Sequence, residues 1–155
     1  GDLRAFGFRK TTMRWLLIGA GLGVVAFALS LVIEHVYFSF ITEINNQADF
    51  QAAAKAGFMS LFILVFSGAV LTPFGEEVVF RGVIANALNR YGPWAGIVGS
   101  AFIFGAVHGP SVIFFNAFMA GILTGYLFRQ TSSIWPGFIT HLVYNGIWLV
   151  VYSVQ

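Results

Sequence analysis

The stretch Gly75-Glu76-Glu77-Val78-Val79-Phe80-Arg81-Gly82 is the feature around which the rest of the chain is arranged. It places two adjacent carboxylates and an arginine in a chain of 155 residues, of which 58% are hydrophobic and 9% are charged. A charged side chain at membrane depth costs at least about 2.5–3.5 kcal/mol on insertion scales, so it is a functional candidate by default. We therefore expect these charges to lie inside a helical bundle and to take part in its chemistry.

The composition indicates an integral membrane protein. Mean hydropathy is +0.83, and a soluble domain of this size needs a polar shell that this sequence does not supply. Cysteine is absent, which excludes disulfides, a thiolate nucleophile and a thiolate metal site. The net charge is only +2 and no basic face continues along the chain, so nucleic acid is not an expected partner. The predicted fold is all-α, a polytopic transmembrane bundle of about six hydrophobic helices.

Turn signals between the apolar segments set the predicted helix boundaries. The six predicted helices cover residues 15–33 (continuing to 41), 57–71, 76–88, 94–107, 111–128 and 134–154. The run Thr72-Pro73-Phe74-Gly75 is predicted to end the second helix, so that Glu76 and Glu77 begin the third, where the positive end of the helix dipole favours carboxylates. Residues 1–56 are predicted to form an N-terminal basic segment, the first helix and a polar loop at 42–55, and residues 57–155 are predicted to form the helix bundle that holds the functional site.

The charge distribution predicts the orientation in the membrane. Basic residues precede the first helix, whereas the loop at 42–55 is mostly acidic: the basic residues are Arg4, Arg9, Lys10 and Arg14. The positive-inside rule then places the N-terminus in the cytoplasm and the loop outside. The compact length favours a bacterial plasma membrane. Glu34 and His35, near the far end of the first helix, are expected to be an interfacial or packing feature.

Three polar or aromatic pairs are spaced four residues apart, and residues at this spacing share one face of a helix. The pairs are Glu77 with Arg81, Phe104 with His108, and His141 with Asn145. Arg81 can therefore neutralise Glu77 in place. His141 and Asn145 can face one cavity, and His108 can reach the same cavity if the helices bundle.

Such a cavity has the parts needed to hydrolyse an amide bond without a nucleophilic side chain. A carboxylate shielded from water is a better general base, and hydrogen-bond donors on another helix can stabilise an oxyanion. We assign Glu76 as the general base and His108 as its water-positioning partner. The predicted oxyanion donors are His141 and Asn145. Glu77 and Arg81 are predicted to form a structural pair that orients the helix and tunes Glu76.

The three motifs resemble those of a known family. Residues 76–81 match EExxxR, residues 104–108 match FxxxH and residues 141–145 match HxxxN. Together they resemble the CPBP family of intramembrane proteases, which includes the type II CAAX prenyl endopeptidases and the Abi group. The resemblance covers roughly residues 71–150. It implies a glutamate-dependent intramembrane endopeptidase in which the first glutamate of EExxxR, Glu76 here, activates the water.

The expected substrate is a membrane-associated peptide, either a prenylated CAAX-type peptide or a leader peptide, cut near the cytoplasmic leaflet. The expected partners are this peptide or lipidated protein and the lipid bilayer, and no cofactor is expected. Zinc is a minority alternative, because Glu76 or Glu77 with His108 and His141 would supply a carboxylate and two imidazoles. The HExxH helix that commonly builds such a site is absent.

Other interpretations of the same residues stay open. The chain could be a non-catalytic membrane scaffold or a bacteriocin-immunity partner, or a small transporter that uses the intramembrane charges as an ion path. Glu76 could be only a helix-start anion, and His108 only a helix terminus. His141 and Asn145 could be interhelical hydrogen-bond donors without a catalytic role.

Overall fold

The computed structural model describes residues 2–45 and 47–155, and the secondary structure in these residues is helical throughout, with no strand. A short 3₁₀ turn, Leu3–Phe6, precedes six helices. These are α1 (Met13–Phe40), α2 (Ala48–Lys55), α3 (Phe58–Tyr91), α4 (Ala95–Val107), α5 (Val112–Thr131) and α6 (Trp135–Val154). Four of them, α1, α3, α5 and α6, are long and apolar enough to cross a membrane. The predicted all-α transmembrane bundle is confirmed.

The predicted break at residues 72–75 is wrong. The second and third predicted helices are one continuous helix, α3, and Glu76 lies near its middle instead of at its start. A π-helical stretch, Phe66–Leu71, comes just before Pro73. Within it the Thr72 N–H donates to the Ser67 carbonyl, five residues back instead of four. This shift in hydrogen-bond register accommodates a proline that lacks an N–H inside a helix.

The predicted polar loop contains a helix that the sequence analysis missed. α2 carries Asp49 in its first turn and Lys55 in its last turn, which suits the helix dipole at both ends. It lies against the start of α3, where the Ser60 hydroxyl donates to the Ala53 carbonyl at 2.7 Å. The described residues therefore form six helices, as predicted, but two of the predicted helices are one helix and α2 is additional.

Small residues let α1 and α6 approach closely. The Thr140 hydroxyl on α6 donates to the Gly19 carbonyl at 2.9 Å. A Cβ atom at Gly19 would lie 2.5 Å from the Pro136 carbonyl oxygen, and one at Gly23 would lie 2.7 Å from the Thr140 carbonyl oxygen. Gly21 faces open space. Close backbone approach of this kind is typical of helices that associate within a bilayer.

The two ends of the bundle are defined by contacts to the N-terminal segment and to the end of α1. At the N-terminal end the Ile134 N–H donates to the Gly7 carbonyl at 3.0 Å, and Asn86 donates to the Ala5 carbonyl at 2.8 Å. At the opposite end the Val112 N–H donates to Glu43 at 3.4 Å. α1, α4 and α6 thus begin at the basic end, and α3 and α5 begin at the other end.

The merging of two predicted helices reverses the direction of every helix that follows. α4 is a shorter apolar helix, well below the roughly 20 residues that a span requires. It starts at the basic end and stops within the bundle. His108, directly after α4, is therefore held at depth, level with the middle of α3.

Candidate active site

Three helices bring a carboxylate and two imidazoles together. Glu76 projects from the middle of α3, His108 follows the end of α4, and His141 lies in the second turn of α6. Glu76 Oε1 is 3.6 Å from His108 Nε2, and Glu76 Oε2 is 3.6 Å from His141 Nε2. Each carboxylate oxygen of Glu76 thus faces one histidine.

A backbone contact sets the tautomer of His108. Its Nδ1 atom lies 2.7 Å from the Phe104 carbonyl oxygen. A carbonyl oxygen only accepts hydrogen bonds, so Nδ1 carries the proton of the neutral imidazole. The Nε2 atom that faces Glu76 is then a hydrogen-bond acceptor. A water between these groups can donate one hydrogen to the carboxylate and one to the imidazole.

A second carboxylate lies behind the first. Glu77 Oε1 is 3.6 Å from His141 Nδ1, and Glu77 Oε2 is 3.5 Å from Arg81 Nε. The side chains of Glu77 and Arg81 are both fully buried, at 0% exposure, whereas 20% of Glu76 is exposed. His141 therefore lies between two carboxylates, of which only Glu76 is accessible from the cavity.

Arg81 is anchored by the helix opposite it. Its guanidinium donates to the Gly121 carbonyl at 3.3 Å and to the Thr124 hydroxyl on α5. The Thr124 hydroxyl in turn donates to the Ala120 carbonyl at 3.0 Å, which leaves its lone pairs for the guanidinium. These contacts fix the position of Arg81, and its positive charge compensates the negative charge of Glu77.

Phe104 is a site residue to which the sequence analysis assigned no role. Its ring is 1% exposed and meets the His108 and His141 rings edge-on, with centroids 4.7 Å and 5.6 Å away. The Arg81 guanidinium lies 4.9 Å from the Phe104 centroid, within cation–π range. The phenylalanine of FxxxH thus separates both histidines from the buried arginine and sets their orientation.

Gly137 is a second residue that sequence reasoning missed. A Cβ atom at this position would collide with the Glu77 carboxylate and lie 3.2 Å from Thr124 Cβ. The backbone of α6 therefore passes directly over the buried carboxylate. Hydropathy and motif spacing carry no signal for this contact, because it depends on how α6 meets α3.

Asn145 lies one turn beyond His141, as the spacing predicts, but part of its hydrogen-bonding capacity is used within the fold. Its Nδ2 atom donates to the Gly68 carbonyl of α3 at 2.9 Å. An amide nitrogen carries two hydrogens, so one remains for the cavity that Asn145 lines.

These residues surround a cavity of about 380 Å³, within the usual range for ligand sites. Glu76, His108, His141 and Asn145 all line it. From there it extends toward the end of the bundle that holds α2, where Phe50 lines it. All four residues predicted to be catalytic thus share one cavity.

Glu34 also lines this cavity, which the sequence analysis did not foresee. Its Oε1 atom accepts a hydrogen bond from the Asn116 side-chain nitrogen of α5 at 3.0 Å. The neighbouring His35 is exposed. The expectation of an interfacial or packing feature thus misses the position of Glu34, which faces the same enclosed space as Glu76.

The histidines and carboxylates form pairs in this arrangement. Among residues 2–45 and 47–155, no group of three or more histidine, aspartate or glutamate side chains converges in a way that could hold a metal ion. Each imidazole of the site faces its own oxygen of Glu76.

Fold and site together define an integral membrane protein whose own helices enclose a carboxylate–histidine site. The family model described as Type II CAAX prenyl endopeptidase Rce1-like matches residues 58–147, and the chain belongs to this family. The predicted resemblance is confirmed, and all three motifs lie within the match. The family is one of proteases, which supports hydrolase activity. Neither the curated proteins nor the solved structures give a match to this chain.

Proposed function

We propose that this protein is a glutamate-dependent intramembrane endopeptidase that uses Glu76 and His108 to activate a water molecule. The observation that carries the proposal is the position of the Glu76 carboxylate between His108 and His141, at 3.6 Å from each. These separations exceed a direct hydrogen bond. A water beside Glu76 and His108 would be within reach of both.

The first step forms the carbon–oxygen bond. The water donates one hydrogen to Glu76 Oε1 and the other to His108 Nε2, so that its lone pair points at the substrate carbonyl carbon. Glu76 takes a proton as the oxygen attacks, and the carbonyl π electrons move to the oxygen to give a tetrahedral oxyanion. Glu76 then gives this proton to the leaving nitrogen as the carbon–nitrogen bond breaks, which regenerates the carboxylate.

The oxyanion would be stabilised from α6. His141 Nε2 faces the cavity beside Glu76, and the second amide hydrogen of Asn145 is available one turn away. Donors that are fixed before the reaction stabilise developing charge without reorganisation, and the loss of one typically lowers kcat by roughly 10²–10³. Glu77 and Arg81 would hold His141 and the α3 backbone in place.

The proposed substrate is a membrane-associated peptide, of CAAX type with a prenyl group or a leader peptide, reached within the lipid bilayer. No nucleic acid and no cofactor enter this proposal. The cavity lies among apolar helices, which suits a lipidated or hydrophobic chain. Zinc stays a minority alternative. Bound metal at about one equivalent in active protein, with activity lost on chelation, would support zinc.

The proposed setting is a bacterial plasma membrane with the N-terminus in the cytoplasm. Four basic residues gather at the end where α1 begins: Arg4, Arg9, Lys10 and Arg14. The last turn of α3 adds Arg90 at the same end. The cavity extends toward the other end, beside α2. With this orientation the substrate would enter from the outer side, and cleavage near the cytoplasmic leaflet stays a prediction.

The test is cleavage of a panel of prenylated and unmodified peptides, with the cut mapped by mass spectrometry. Glu76→Gln keeps the shape of the side chain and removes the base, and we expect turnover to fall to background. His108→Ala should also abolish turnover. Glu43→Gln serves as the control, because Glu43 lies at the end of the bundle and does not line the cavity. Wild-type cleavage by a folded Glu76→Gln protein would refute the base assignment. A biological effect that survives Glu76→Gln would instead favour a non-catalytic scaffold or immunity partner.

A further inference from the structure

The cavity contains a second polar cluster, distant from the motifs and partly outside the matched family region. Glu34 on α1 and Asn116 on α5 are joined by the 3.0 Å hydrogen bond described above. Asn116 is 7% exposed, and its Oδ1 atom is buried and has no hydrogen-bond partner in the described part of the chain. Asn116 uses one of its two amide hydrogens on Glu34, and the Glu34 carboxylate is the charged group of the cluster that lines the cavity.

Aromatic side chains line the same cavity as this cluster. Tyr144, Trp148 and Tyr152 of α6 line the same cavity, and the Trp148 and Tyr152 rings have centroids 5.5 Å apart. A carboxylate beside aromatic faces is a common arrangement for binding a cation.

In the residues that the structure describes, no lysine or arginine lies within ion-pair distance of the Glu34 carboxylate. The residues that line the cavity include two glutamates, Glu34 and Glu76, and no lysine or arginine. The two histidines of the cavity are already beside Glu76. A carboxylate that is partly withdrawn from water and has no countercharge is unfavourable, so a ligand that brings a positive charge would stabilise the cluster.

We propose that Glu34, Asn116 and the aromatic rings of Trp148 and Tyr152 form a substrate subsite for a basic side chain, lysine or arginine, of the cleaved peptide. This proposal rests on the proposed endopeptidase function. The ligand donates a hydrogen bond to the Glu34 carboxylate, and its charge lies against the aromatic rings. The subsite makes this cavity selective for peptides with a cation at a defined distance from the cut.

The helical rise of α6 gives the distance between His141 and the subsite. His141, Asn145, Trp148 and Tyr152 form one stripe along the helix, which advances about 1.5 Å per residue. The subsite therefore lies roughly 10–16 Å from His141 along the helix axis. An extended peptide advances about 3.3 Å per residue, so the basic residue lies about three to five positions from the scissile bond.

The test compares peptides that carry lysine, arginine or norleucine at successive positions from the cut. We expect the wild-type protein to prefer the basic peptides at one position by roughly ten- to a hundred-fold in kcat/KM, the size of one charge-assisted interaction. Glu34→Gln keeps an acceptor for Asn116 and should erase this preference. Glu43→Gln is the matched control and should keep the preference.

Binding separates a failure of this subsite from a failure of the proposed function. The same peptides are titrated against Glu76→Gln and against the Glu34→Gln/Glu76→Gln double variant, where no cleavage is needed. Tighter binding of the lysine peptide only when Glu34 is present supports the subsite, even if no peptide is cleaved. Equal binding of lysine and norleucine peptides by Glu76→Gln would overturn the subsite, even if cleavage is observed.

Discussion

The side-chain nitrogen of Asn145 donates to the carbonyl oxygen of Gly68 at 2.9 Å, an oxygen that the backbone of α3 leaves unpaired. The N–H four residues on, at Thr72, donates to Ser67 instead. The nitrogen five residues on belongs to Pro73 and has no hydrogen. Asn145 thus supplies the hydrogen bond that the proline removes, and it ties α6 to the irregular part of α3 one turn before Glu76.

This relationship predicts that substitutions of Asn145 and Pro73 have coupled effects on stability. Asn145→Ala should destabilise the protein by about 1–3 kcal/mol, because it leaves a buried carbonyl unsatisfied. Adding Pro73→Ala supplies an N–H that can bond to Gly68, so the double variant should recover much of this stability. If Asn145 also stabilises the oxyanion, kcat should stay low in the double variant. Thermal unfolding in detergent and single-turnover cleavage measure the two effects. Full recovery of both stability and kcat in the double variant would show that Asn145 only joins the helices.

Removal of one partner of the buried Glu77–Arg81 pair on α3 should strongly destabilise the protein. Glu77→Gln leaves the fully buried Arg81 without a countercharge, and breaking such a pair typically costs about 3–5 kcal/mol. Glu77→Gln combined with Arg81→Met removes both charges and should regain most of the stability. Activity should stay low in both variants, because His141 Nδ1 loses the carboxylate that orients it. A wild-type unfolding midpoint for Glu77→Gln alone would contradict a structural role for the pair.

Gly137 offers a test of the close approach between α6 and the buried carboxylate. Gly137→Ala places a methyl group where the Glu77 carboxylate lies, so we expect loss of activity by at least about tenfold and lower stability, as for other overpacked sites. Gly146→Ala on the same helix is the control, since its Cβ would meet nothing nearer than 4.0 Å. That control should be neutral or slightly stabilising. Equal behaviour of the two variants would argue against the packing described.

The absence of cysteine makes the orientation easy to measure, because a single introduced thiol is the only reactive one. Thr12→Cys and Ala52→Cys place exposed thiols at opposite ends of the bundle. With the N-terminus in the cytoplasm, a membrane-impermeant maleimide should label Ala52→Cys in intact cells. Thr12→Cys should react only after permeabilisation. The reverse pattern would place the mouth of the cavity on the cytoplasmic side.

Local patterns predicted the helical class and the residues of the site. Hydropathy identifies apolar helices because the length and composition of a segment decide by themselves whether it can lie in lipid. The spacing of four between His141 and Asn145 places both on one face whatever the rest of the chain does. The same local logic failed at Pro73, where a π-helical turn absorbs a residue that normally ends a helix. It also failed in the loop, where α2 forms beside α3.

The sequence by itself determined that the chain is a membrane-embedded helical protein and which charged residues are costly enough to matter, since both follow from residue type and short-range spacing. Only the tertiary structure decided that α3 is continuous and that Gly137 lies over Glu77. It also decided that Glu34 shares a cavity with Glu76. These features depend on which helix faces meet, and residues as distant in sequence as Glu34 and Asn116 come together only when the whole bundle packs.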